Sequence, residues 1–288
     1  MRLRCPTCRE PIDSREPACP NGHVYAYRDG VLRLLDASFA SRLEAFAARL
    51  RVIRDAEGRR LMDVSAYEGL PHSQLRRGDA AWRAEWRLRC YDLDRVSRLA
   101  GDRAPCAVLD VGAWNGWLSH RLALRGHDVT AVDYFDDAYD GLAARKHYRS
   151  CWRAIQMDLA DLTILDERFD LIVLNRCLAF FGDPIASVTS ARRLLAKDGM
   201  LVITGLQFFR DPAPKARSIA SQREAYRARY NFDLFLKPTK GCLDWEDRRQ
   251  LQQAGVALNS YPQLWMANLK ARVRRALPYH MYGLVRAG

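Results

Sequence analysis

The segment that most constrains the fold lies at residues 108–118, where an apolar run meets two glycines and then a helical pattern. Residues 106–111 predict a buried strand, Gly112 and Gly116 predict a turn, and three leucines follow at helical spacing. A glycine-rich turn between a strand and a helix brings backbone N–H groups close to a ligand, at a helix end that favours negative charge. The segment therefore predicts a ligand-binding strand–turn–helix unit of an α/β protein.

Two acidic residues indicate what the ligand contains. Asp110 ends the first predicted strand, and Asp133 ends a second one at residues 128–133. A carboxylate at such a position can accept hydrogen bonds from both hydroxyls of a ribose. The G-x-G-x-x-G pattern of a dinucleotide fold is absent, as is a phosphate-binding loop ending in Gly-Lys-Ser/Thr. The pattern therefore favours an adenosine-type ligand other than a dinucleotide or a nucleoside triphosphate.

Residues 110–117, Asp-Val-Gly-Ala-Trp-Asn-Gly-Trp, resemble motif I of the class I S-adenosylmethionine-dependent methyltransferases. Asp133 resembles the family's ribose-binding acid, and Asp158 in Gln-Met-Asp-Leu resembles the acid that contacts the adenine amine. Residues 169–175 and 194–203 resemble the fourth strand and the approach to the fifth. One departure is Trp114, which stands where the family usually has a glycine and puts a bulky ring near the methionine end of the cofactor.

The resemblance covers residues 104–288 and is to the type 11-like methyltransferases. It implies a doubly wound, seven-stranded Rossmann-like sheet of α/β class that binds S-adenosylmethionine. The cofactor-binding residues that it implies are Asp110, Gly112, Ala113, Trp114, Gly116, Trp117, Asp133, Tyr134, Asp158, Leu159 and Asn175.

Four residues near the start of the chain have the spacing of a metal site. Cys5-Pro-Thr-Cys8 and Cys19-Pro-Asn-Gly-His23 form two short knuckles joined by a ten-residue link. Three thiolates and one imidazole with no open position describe structural Zn²⁺. The segment is too short to fold around a core of its own, so metal binding would supply its folding free energy.

This segment resembles the zinc ribbon of bacterial rRNA guanine methyltransferases, and also the small zinc-ribbon activators of methyltransferases. We expect a zinc ribbon at residues 1–36, a helical cap or linker at 37–103, and the methyltransferase domain at 104–288 with an insertion at about 206–242. Zinc ribbons fused to methyltransferases occur with RNA acceptors and with small or glycan-linked acceptors, so the ribbon leaves both open.

Composition bounds the location of the protein and its partners. No apolar run approaches the roughly 20 residues that span a bilayer, and the first residues lack the apolar stretch of a signal peptide. We therefore expect a cytoplasmic protein without a membrane partner. The formal net charge is +12, of which residues 206–288 contribute +9. A basic tail can attract RNA, although the near-exclusive use of Arg also fits a GC-rich coding sequence.

Helical periodicity predicts helices at residues 38–62 and 79–99. By analogy with the family, these helices would cover the cofactor and wall the acceptor pocket, and Tyr67, His72, Trp82 and Trp86 are candidates for that wall. If a general base is used, we expect His72 first and Tyr67 second. Asn175, at the end of the fourth strand, faces the methyl site by position and is a candidate for orienting the acceptor.

The C-terminal part shows a different pattern. After residue 203 we expect the chain to leave the sheet for an excursion to residue 242, with a helix at 217–230. A helix, a strand, a basic amphipathic helix at 264–277 and a last strand follow, as in the terminal hairpin of this methyltransferase family. The basic face predicts mainly a solvated surface, with an RNA or phosphate contact as the alternative.

Three functions fit the sequence. The leading hypothesis is methyl transfer to an O or N atom of a small-molecule or glycan-type metabolite. The second is RNA base methylation that uses the ribbon and the basic tail, although no base-methylation motif follows the fourth strand. The third is a catalytically silent cofactor-binding or partner module.

Overall fold

The computed structural model describes residues 1–101 and 105–287, so the predicted boundary between residues 103 and 104 lies outside the described residues. The strands are β1 (Arg2–Arg4), β2 (Pro11–Asp13), β3 (Ala26–Arg28), β4 (Val31–Leu34), β5 (Ala107–Val111), β6 (Asp128–Asp133), β7 (Arg153–Met157), β8 (Phe169–Asn175), β9 (Leu195–Phe209), β10 (Leu243–Asp244), β11 (Ala257–Ser260) and β12 (Tyr279–Arg286). The helices are α1 (Ala37–Ala56), α2 (Ala80–Ala100), α3 (Trp117–Ala123), α4 (Pro184–Arg192), α5 (Ala213–Tyr230), α6 (Trp245–Gln253) and α7 (Trp265–Val273).

A central sheet organises the molecule. Its strands lie in the order β11-β12-β9-β8-β5-β6-β7-β4-β3, and β10 pairs with the end of β9. The six strands from β9 to β4 in this spatial order, namely β9, β8, β5, β6, β7 and β4, are parallel to one another. Strand β12 is antiparallel to both of its neighbours. The strand order reverses beside β5, and in open α/β sheets ligands bind at the carboxyl ends of the strands at such a point.

The central strands are apolar on both sides because helices cover both faces. On β5, Val108 packs into a cluster with Val96 of α2 and Leu118 of α3. Its neighbour Leu109 points to the opposite face and packs into a second cluster that includes Leu251 of α6. Alternation along a single strand therefore supplies the core of both layers.

Aspartates begin several of the helices. Asp79 accepts a hydrogen bond from the N–H of Trp82 at the start of α2, and Asp36 and Asp183 serve α1 and α4 in the same way. At α6, Asp244 and Asp247 form a reciprocal capping box. Each cap provides acceptors for N–H groups that have no partner within the helix.

The strand number differs from the prediction. In the described residues the central sheet has ten strands rather than seven. Two of the additional strands, β3 and β4, come from the segment predicted to belong to the ribbon, and β4 pairs in parallel with β7. The third is β10, which pairs with β9. The β4–β7 pairing joins residues more than 100 positions apart, and β10 is only two residues long, so neither leaves a local periodic signal. Strand β3 is joined to β4 by a short hairpin at Asp29 and Gly30, and it enters the sheet only because β4 does.

A second difference concerns the fifth parallel strand. The chain does not leave the sheet after residue 203, because β9 continues to Phe209. Its last residues are covered by β10 on one side and by the start of β12 on the other. The excursion therefore begins with α5, which follows β9 and has no buried residue.

Candidate functional site

The turn after β5 has the backbone shape that its glycines require. Gly112 and Gly116 have φ values of +71° and +75°, in the left-handed region. A Cβ atom on Gly116 would lie 2.3 Å from Cζ2 of Trp152, so a side chain cannot be accommodated there. Trp114 also has a positive φ, 53°, which is uncommon for a bulky residue and concentrates at functional sites.

Asp133 links this turn to the next strand. Its Oδ2 accepts a hydrogen bond from the N–H of Trp114 at 2.8 Å, and its Oδ1 accepts one from the N–H of Phe135 at 3.0 Å. A carboxylate offers about four lone-pair directions, so this side chain can still accept a hydrogen bond from a ligand hydroxyl. Burial raises the pKa of Asp133. The side chain is placed at the carboxyl end of β6, beside the turn that follows β5.

Asp110 is buried beside the turn with an incomplete set of partners. The hydroxyl of Ser119 donates to its Oδ2 at 2.7 Å. Its Oδ1 is buried and has no hydrogen-bond partner among the described residues. Burial raises the pKa of this carboxyl to about 7. A buried acceptor without a donor is costly, so this oxygen marks a place where a polar ligand group would be stabilised.

Asp158, which follows β7, has partners within the protein for both of its carboxylate oxygens. The hydroxyl of Tyr134 and the N–H of Ala160 donate to its Oδ1 at 3.3 Å and 3.0 Å. The ammonium of Lys237 forms an ion pair with its Oδ2. Lys237 also lies 4.4 Å from the ring centre of Phe39. A cation from a distant part of the chain therefore occupies the free oxygen of this acid.

Lys237 belongs to residues 231–241, here called the strap. At one end, the guanidinium of Arg49 donates to the carbonyl of Asn231 at 2.9 Å, and the Phe46 ring lies 4.8 Å from the ring of Phe232. At the other end, the N–H of Gly241 donates to the carbonyl of Ala179 at 2.8 Å. The strap thus runs from α1 to the loop after β8, across the carboxyl ends of the strands.

Trp114 is held between aromatic and cationic groups of α2. The Trp114 and Trp86 rings lie 6.0 Å apart. The guanidinium of Arg89 lies 4.9 Å from the ring centre of Trp86 and 5.7 Å from that of Trp114. These cation–π contacts hold a positive charge at the mouth of the turn, and they explain how an aromatic ring replaces a glycine there.

A buried polar network lies at the end of β8, beside Thr204 of β9. The amide of Asn175 donates to the hydroxyl of Thr204 at 2.7 Å. The fully buried carboxylate of Asp92 accepts hydrogen bonds from the hydroxyl of Tyr261 at 2.6 Å and from Arg176 at 3.2 Å. Burial raises the pKa of Asp92, and the charge of Arg176 opposes that rise. This network fixes α2 against the carboxyl ends of the strands.

Comparison with known proteins shows which family contains these strand-end residues. Residues 109–203 match the family model described as a methyltransferase domain. The ubiquinone biosynthesis O-methyltransferase of Glaesserella parasuis is 30% identical over 169 residues, which are 54% of this chain and 67% of the relative. The chain belongs to the class I S-adenosylmethionine-dependent methyltransferases. The enzyme of the same name from Actinobacillus pleuropneumoniae is 28% identical over 184 residues, 56% of this chain and 71% of the relative.

The methyltransferase is also similar to solved structures. The magnesium protoporphyrin IX methyltransferase from Synechocystis PCC 6803, with bound SAH, is 14% identical, with 77% of this chain and 95% of that chain covered, at a TM-score of 0.46. The plantazolicin methyltransferase BamL is 18% identical, with 86% and 98% covered, at a TM-score of 0.46.

In this methyltransferase, the residues predicted from motif order come together at one edge of the sheet. The turn at Gly112, the acid Asp133 and the acid Asp158 follow neighbouring strands β5, β6 and β7, and Asn175 ends β8 on the other side of β5. The remaining predicted cofactor residues accompany them in the same turns: Ala113, Trp114, Gly116, Trp117, Tyr134 and Leu159. The unpaired Oδ1 of Asp110 and the available acceptor positions on Asp133 fit an adenosine-type cofactor.

The two candidate bases lie in different places. His72 lines a cavity of about 290 Å³ with Asp94, Arg98 and Arg125. Arg125 follows α3 and precedes the first residue of β6, so this cavity lies towards the amino ends of the strands. Tyr67 is fully buried, and its hydroxyl lies between the carbonyl oxygens of Leu61 and Tyr139 at 2.9 Å and 2.8 Å. His72 therefore lies at the opposite end of the strands from the turn at Gly112, and the Tyr67 hydroxyl is held by two backbone carbonyls.

Sequence reasoning missed Arg89 and Lys237. Arg89 is one of several arginines of α2, and Lys237 follows the apolar run at residues 234–236. Nothing in either neighbourhood distinguishes these cations from the others in the chain. A helical projection of α2 places Arg89 near Trp86, which was a candidate for the pocket wall, and this is the one signal that could have found it. Lys237 leaves no comparable signal, because its partner Asp158 is 79 positions away.

The cysteine and histidine cluster has the shape of a four-ligand metal site. The candidate ligand atoms of Cys5, Cys8, Cys19 and His23 all lie within 4.8 Å of one another. Sγ of Cys8 and Sγ of Cys19 are 3.6 Å apart, and Sγ of Cys19 and Nδ1 of His23 are 3.2 Å apart. A tetrahedron with Zn–S bonds of about 2.3 Å has S–S edges of roughly 3.8 Å, so the cluster fits a zinc ion.

Tyr25 is a further member of this cluster that the spacing did not reveal. Its hydroxyl lies 3.0 Å from Sγ of Cys5. Although burial alone raises the pKa of the Cys5 thiol, hydrogen bonds from Tyr25 and from the N–H groups of Cys8 and Thr7 lower it to about 6. A hydrogen bond to a thiolate of this kind orients a metal ligand.

The cluster is attached to the methyltransferase fold. Leu3 of β1 forms a bridge with Leu165, and Arg4 and Arg9 form ion pairs with Asp166 and Asp161. All three partners lie in the loop between β7 and β8. The ribbon-like segment therefore packs near Asp158, on the side of the sheet away from Trp114.

Proposed function

We propose that this methyltransferase transfers a methyl group from S-adenosylmethionine to an O or N atom of a small-molecule or glycan-type acceptor. The observation that carries the proposal is the meeting of the turn after β5, Asp133 and Asp158 at the carboxyl ends of adjacent strands. The names of the relatives describe O-methyltransferases of ubiquinone biosynthesis, and this favours an oxygen atom as the acceptor.

Each residue has a distinct part in holding the cofactor. Asp133 accepts hydrogen bonds from the ribose hydroxyls, and Asp158 and Leu159 contact the adenine. Arg89, held at the Trp114 ring, provides a cation for the carboxylate of the methionine portion. S-adenosylmethionine supplies an already activated methyl group, so the protein mainly aligns acceptor and donor. Asn175 and its partner Thr204 orient the acceptor at the end of β8.

A labelled methyl-transfer experiment tests this function. The purified protein is incubated with S-adenosylmethionine labelled in its methyl group and with a cell extract separated into small molecules, glycans and total RNA. Label in the small-molecule or glycan fraction is the expected result. Label in RNA would establish base methylation instead, and cofactor binding without label in any fraction would indicate a silent binding module.

Replacing Lys237 by alanine should strengthen cofactor binding about two- to fivefold. The Lys237 ammonium occupies Oδ2 of Asp158, the oxygen that the adenine amine needs. A partly exposed ion pair of this kind is worth about 0.2–1 kcal/mol. Titration calorimetry with S-adenosylmethionine measures the change. Lys240→Ala is the matched control, because Lys240 lies on the same strap but pairs with Asp247. Weaker binding by Lys237→Ala would mean that this ammonium belongs to the cofactor site.

We also propose one structural zinc ion, held by Cys5, Cys8, Cys19 and His23. Four ligands in tetrahedral arrangement leave no position for a reacting water. The contacts of this segment with residues 161–166, in the loop between β7 and β8, support a site apart from the turn at Gly112. The zinc therefore stabilises the fold and takes no part in methyl transfer.

A further inference from the structure

Helix α7 is oriented opposite to what its composition leads one to expect. The residues it turns towards the sheet are small or polar, with Asn268 and Ala271 buried. Its large apolar side chains face outwards: Trp265 is 62% exposed, Met266 55%, Leu269 52% and Val273 82%. At about 100° per residue these four positions fall within an arc of roughly 100°. They form one continuous apolar stripe, here called the α7 stripe.

Specific hydrogen bonds hold α7 in this orientation. The amide of Asn268 donates to the carbonyl of His280 at 3.0 Å, and the N–H of His280 donates to Oδ1 of Asn268 at 2.7 Å. His280 lies in β12, and its neighbour Tyr279 pairs with Phe208 near the end of β9. The α7 stripe is therefore fixed outwards beside the carboxyl edge of the sheet.

The surroundings of the stripe are strongly cationic. Residues 248–288 contain seven Arg and Lys residues and no Asp or Glu. Lys270 and Arg272 lie on either side of the stripe in helical projection, and Arg274 and Arg275 follow it, all of them exposed. Within residues 1–101 and 105–287, no carboxylate forms an ion pair with any of these four cations. Their charges remain available to an external partner.

The positive charges around the α7 stripe indicate which kind of partner this surface can bind. A second copy of the chain placed on the same stripe would bring two cationic tails together and would be repelled. A bilayer that contains anionic lipid accepts apolar side chains at the level of the headgroups and attracts Lys and Arg beside them. An exposed Trp with Leu and Met between cations is the composition of helices that lie in such an interface.

We infer that this methyltransferase docks on anionic membrane surfaces through α7, with the α7 stripe in the headgroup region and the flanking cations on lipid phosphates. This goes beyond the proposed function and does not depend on the identity of the methyl acceptor. No helix among the described residues is long and apolar enough to cross a membrane, and the inference concerns attachment to one surface. The sequence-based expectation of no membrane partner considered only spanning segments and a signal peptide.

Co-sedimentation with vesicles tests the inference. The full chain is mixed with vesicles of phosphatidylcholine alone or of phosphatidylcholine and phosphatidylglycerol at three to one. We expect at least tenfold stronger partition onto the anionic vesicles, and a decrease as salt concentration rises. The triple variant Trp265→Ser, Leu269→Ser, Val273→Ser should lower this partition at least tenfold. The double variant Lys270→Gln, Arg274→Gln should remove most of the preference for anionic lipid.

Matched controls separate the helix from general surface properties. Val52→Ser with Met62→Ser removes two other exposed apolar side chains, 68% and 52% exposed, and should leave partition unchanged. Arg217→Gln with Arg229→Gln removes two exposed cations of α5 and should have at most a twofold effect. Unchanged melting temperature and cofactor affinity show that each variant is folded.

Three results would overturn the inference. The first is absence of partition onto anionic vesicles by wild type at low salt. The second is partition that the triple variant leaves unchanged. The third is a dimer in sedimentation velocity that the triple variant dissolves, because the stripe would then bind a second copy. A blue shift of Trp fluorescence on anionic vesicles that disappears in Trp265→Phe would support the inference directly in a near-native protein.

Discussion

Replacing Asp133 by alanine should weaken the binding of S-adenosylmethionine about ten- to a hundred-fold. Hydrogen bonds to a charged acceptor contribute roughly 1.5–3 kcal/mol, and this carboxylate is the proposed acceptor for the ribose hydroxyls. The substitution also removes the acceptors of the Trp114 and Phe135 N–H groups, so the turn that carries Gly112 and Trp114 loses its attachment to β6. Titration calorimetry with S-adenosylmethionine and with its demethylated product measures the loss.

Asp128→Ala is the control for this experiment. Asp128 is at the opposite end of the same strand, where it is exposed and pairs with Arg153 at 2.9 Å. Its loss should leave cofactor affinity within twofold. Asp133→Asn keeps one carbonyl oxygen for a backbone N–H without the charge and should bind with intermediate affinity. Wild-type affinity in Asp133→Ala would contradict the assignment of this acid to the cofactor.

Replacing Cys8 by serine should release the proposed zinc ion and unfold the first 25 residues. Structural zinc contributes about 10–16 kcal/mol to the folding of isolated zinc-finger peptides, which is more than the few apolar contacts of this segment provide. Metal analysis should change from one zinc per chain to none. Hydrogen exchange should show loss of protection in β1 and β2, and the melting temperature of the whole chain should fall because Leu3 and Ile12 belong to the main core.

Cys151→Ser is the matched control for this second experiment, because Cys151 is exposed and lies outside the cluster. It should retain the zinc and the wild-type melting temperature. Cofactor affinity of Cys8→Ser should stay within a few-fold of wild type, because the ribbon contacts the outer part of the loop between β7 and β8. Freshly purified wild-type protein without zinc, or methyl transfer that depends on a metal-bound water, would contradict a structural site.

The predicted elements that were confirmed are those with a local physical cause. The buried strand, the glycine turn and the helix around residue 112 follow from apolar runs and from the backbone freedom of glycine. The predicted helices at 38–62 and 79–99 correspond to α1 and α2, with ends that differ by one to six residues. Capping aspartates and apolar periodicity are properties of a few neighbouring residues, so the sequence shows them directly.

The residues of the candidate site also fall into those that local sequence predicts and those that it does not. The positions of Asp110, Asp133 and Asp158 at strand ends could be predicted, because the carboxyl ends of parallel strands meet at one edge of a sheet. The occupation of Asp158 by Lys237 could not, since a strap of 11 residues can cross a sheet edge in many ways. The positions of His72 and Tyr67 depended on how the segment before α2 packs, and that packing placed His72 towards the amino ends of the strands and buried Tyr67 against two backbone carbonyls.

The sequence by itself determined the order of the motifs, the methyltransferase family and the four candidate metal ligands, because each rests on short spacings and on residue chemistry. The tertiary structure decided that the sheet gains β3, β4 and β10, that Arg89 lies on Trp114, and that α7 turns its large apolar residues outwards. Those outcomes depend on pairings between distant parts of the chain. The free energy of such a pairing depends on which surfaces remain to be buried after the local elements have formed, and no short stretch of sequence contains that information.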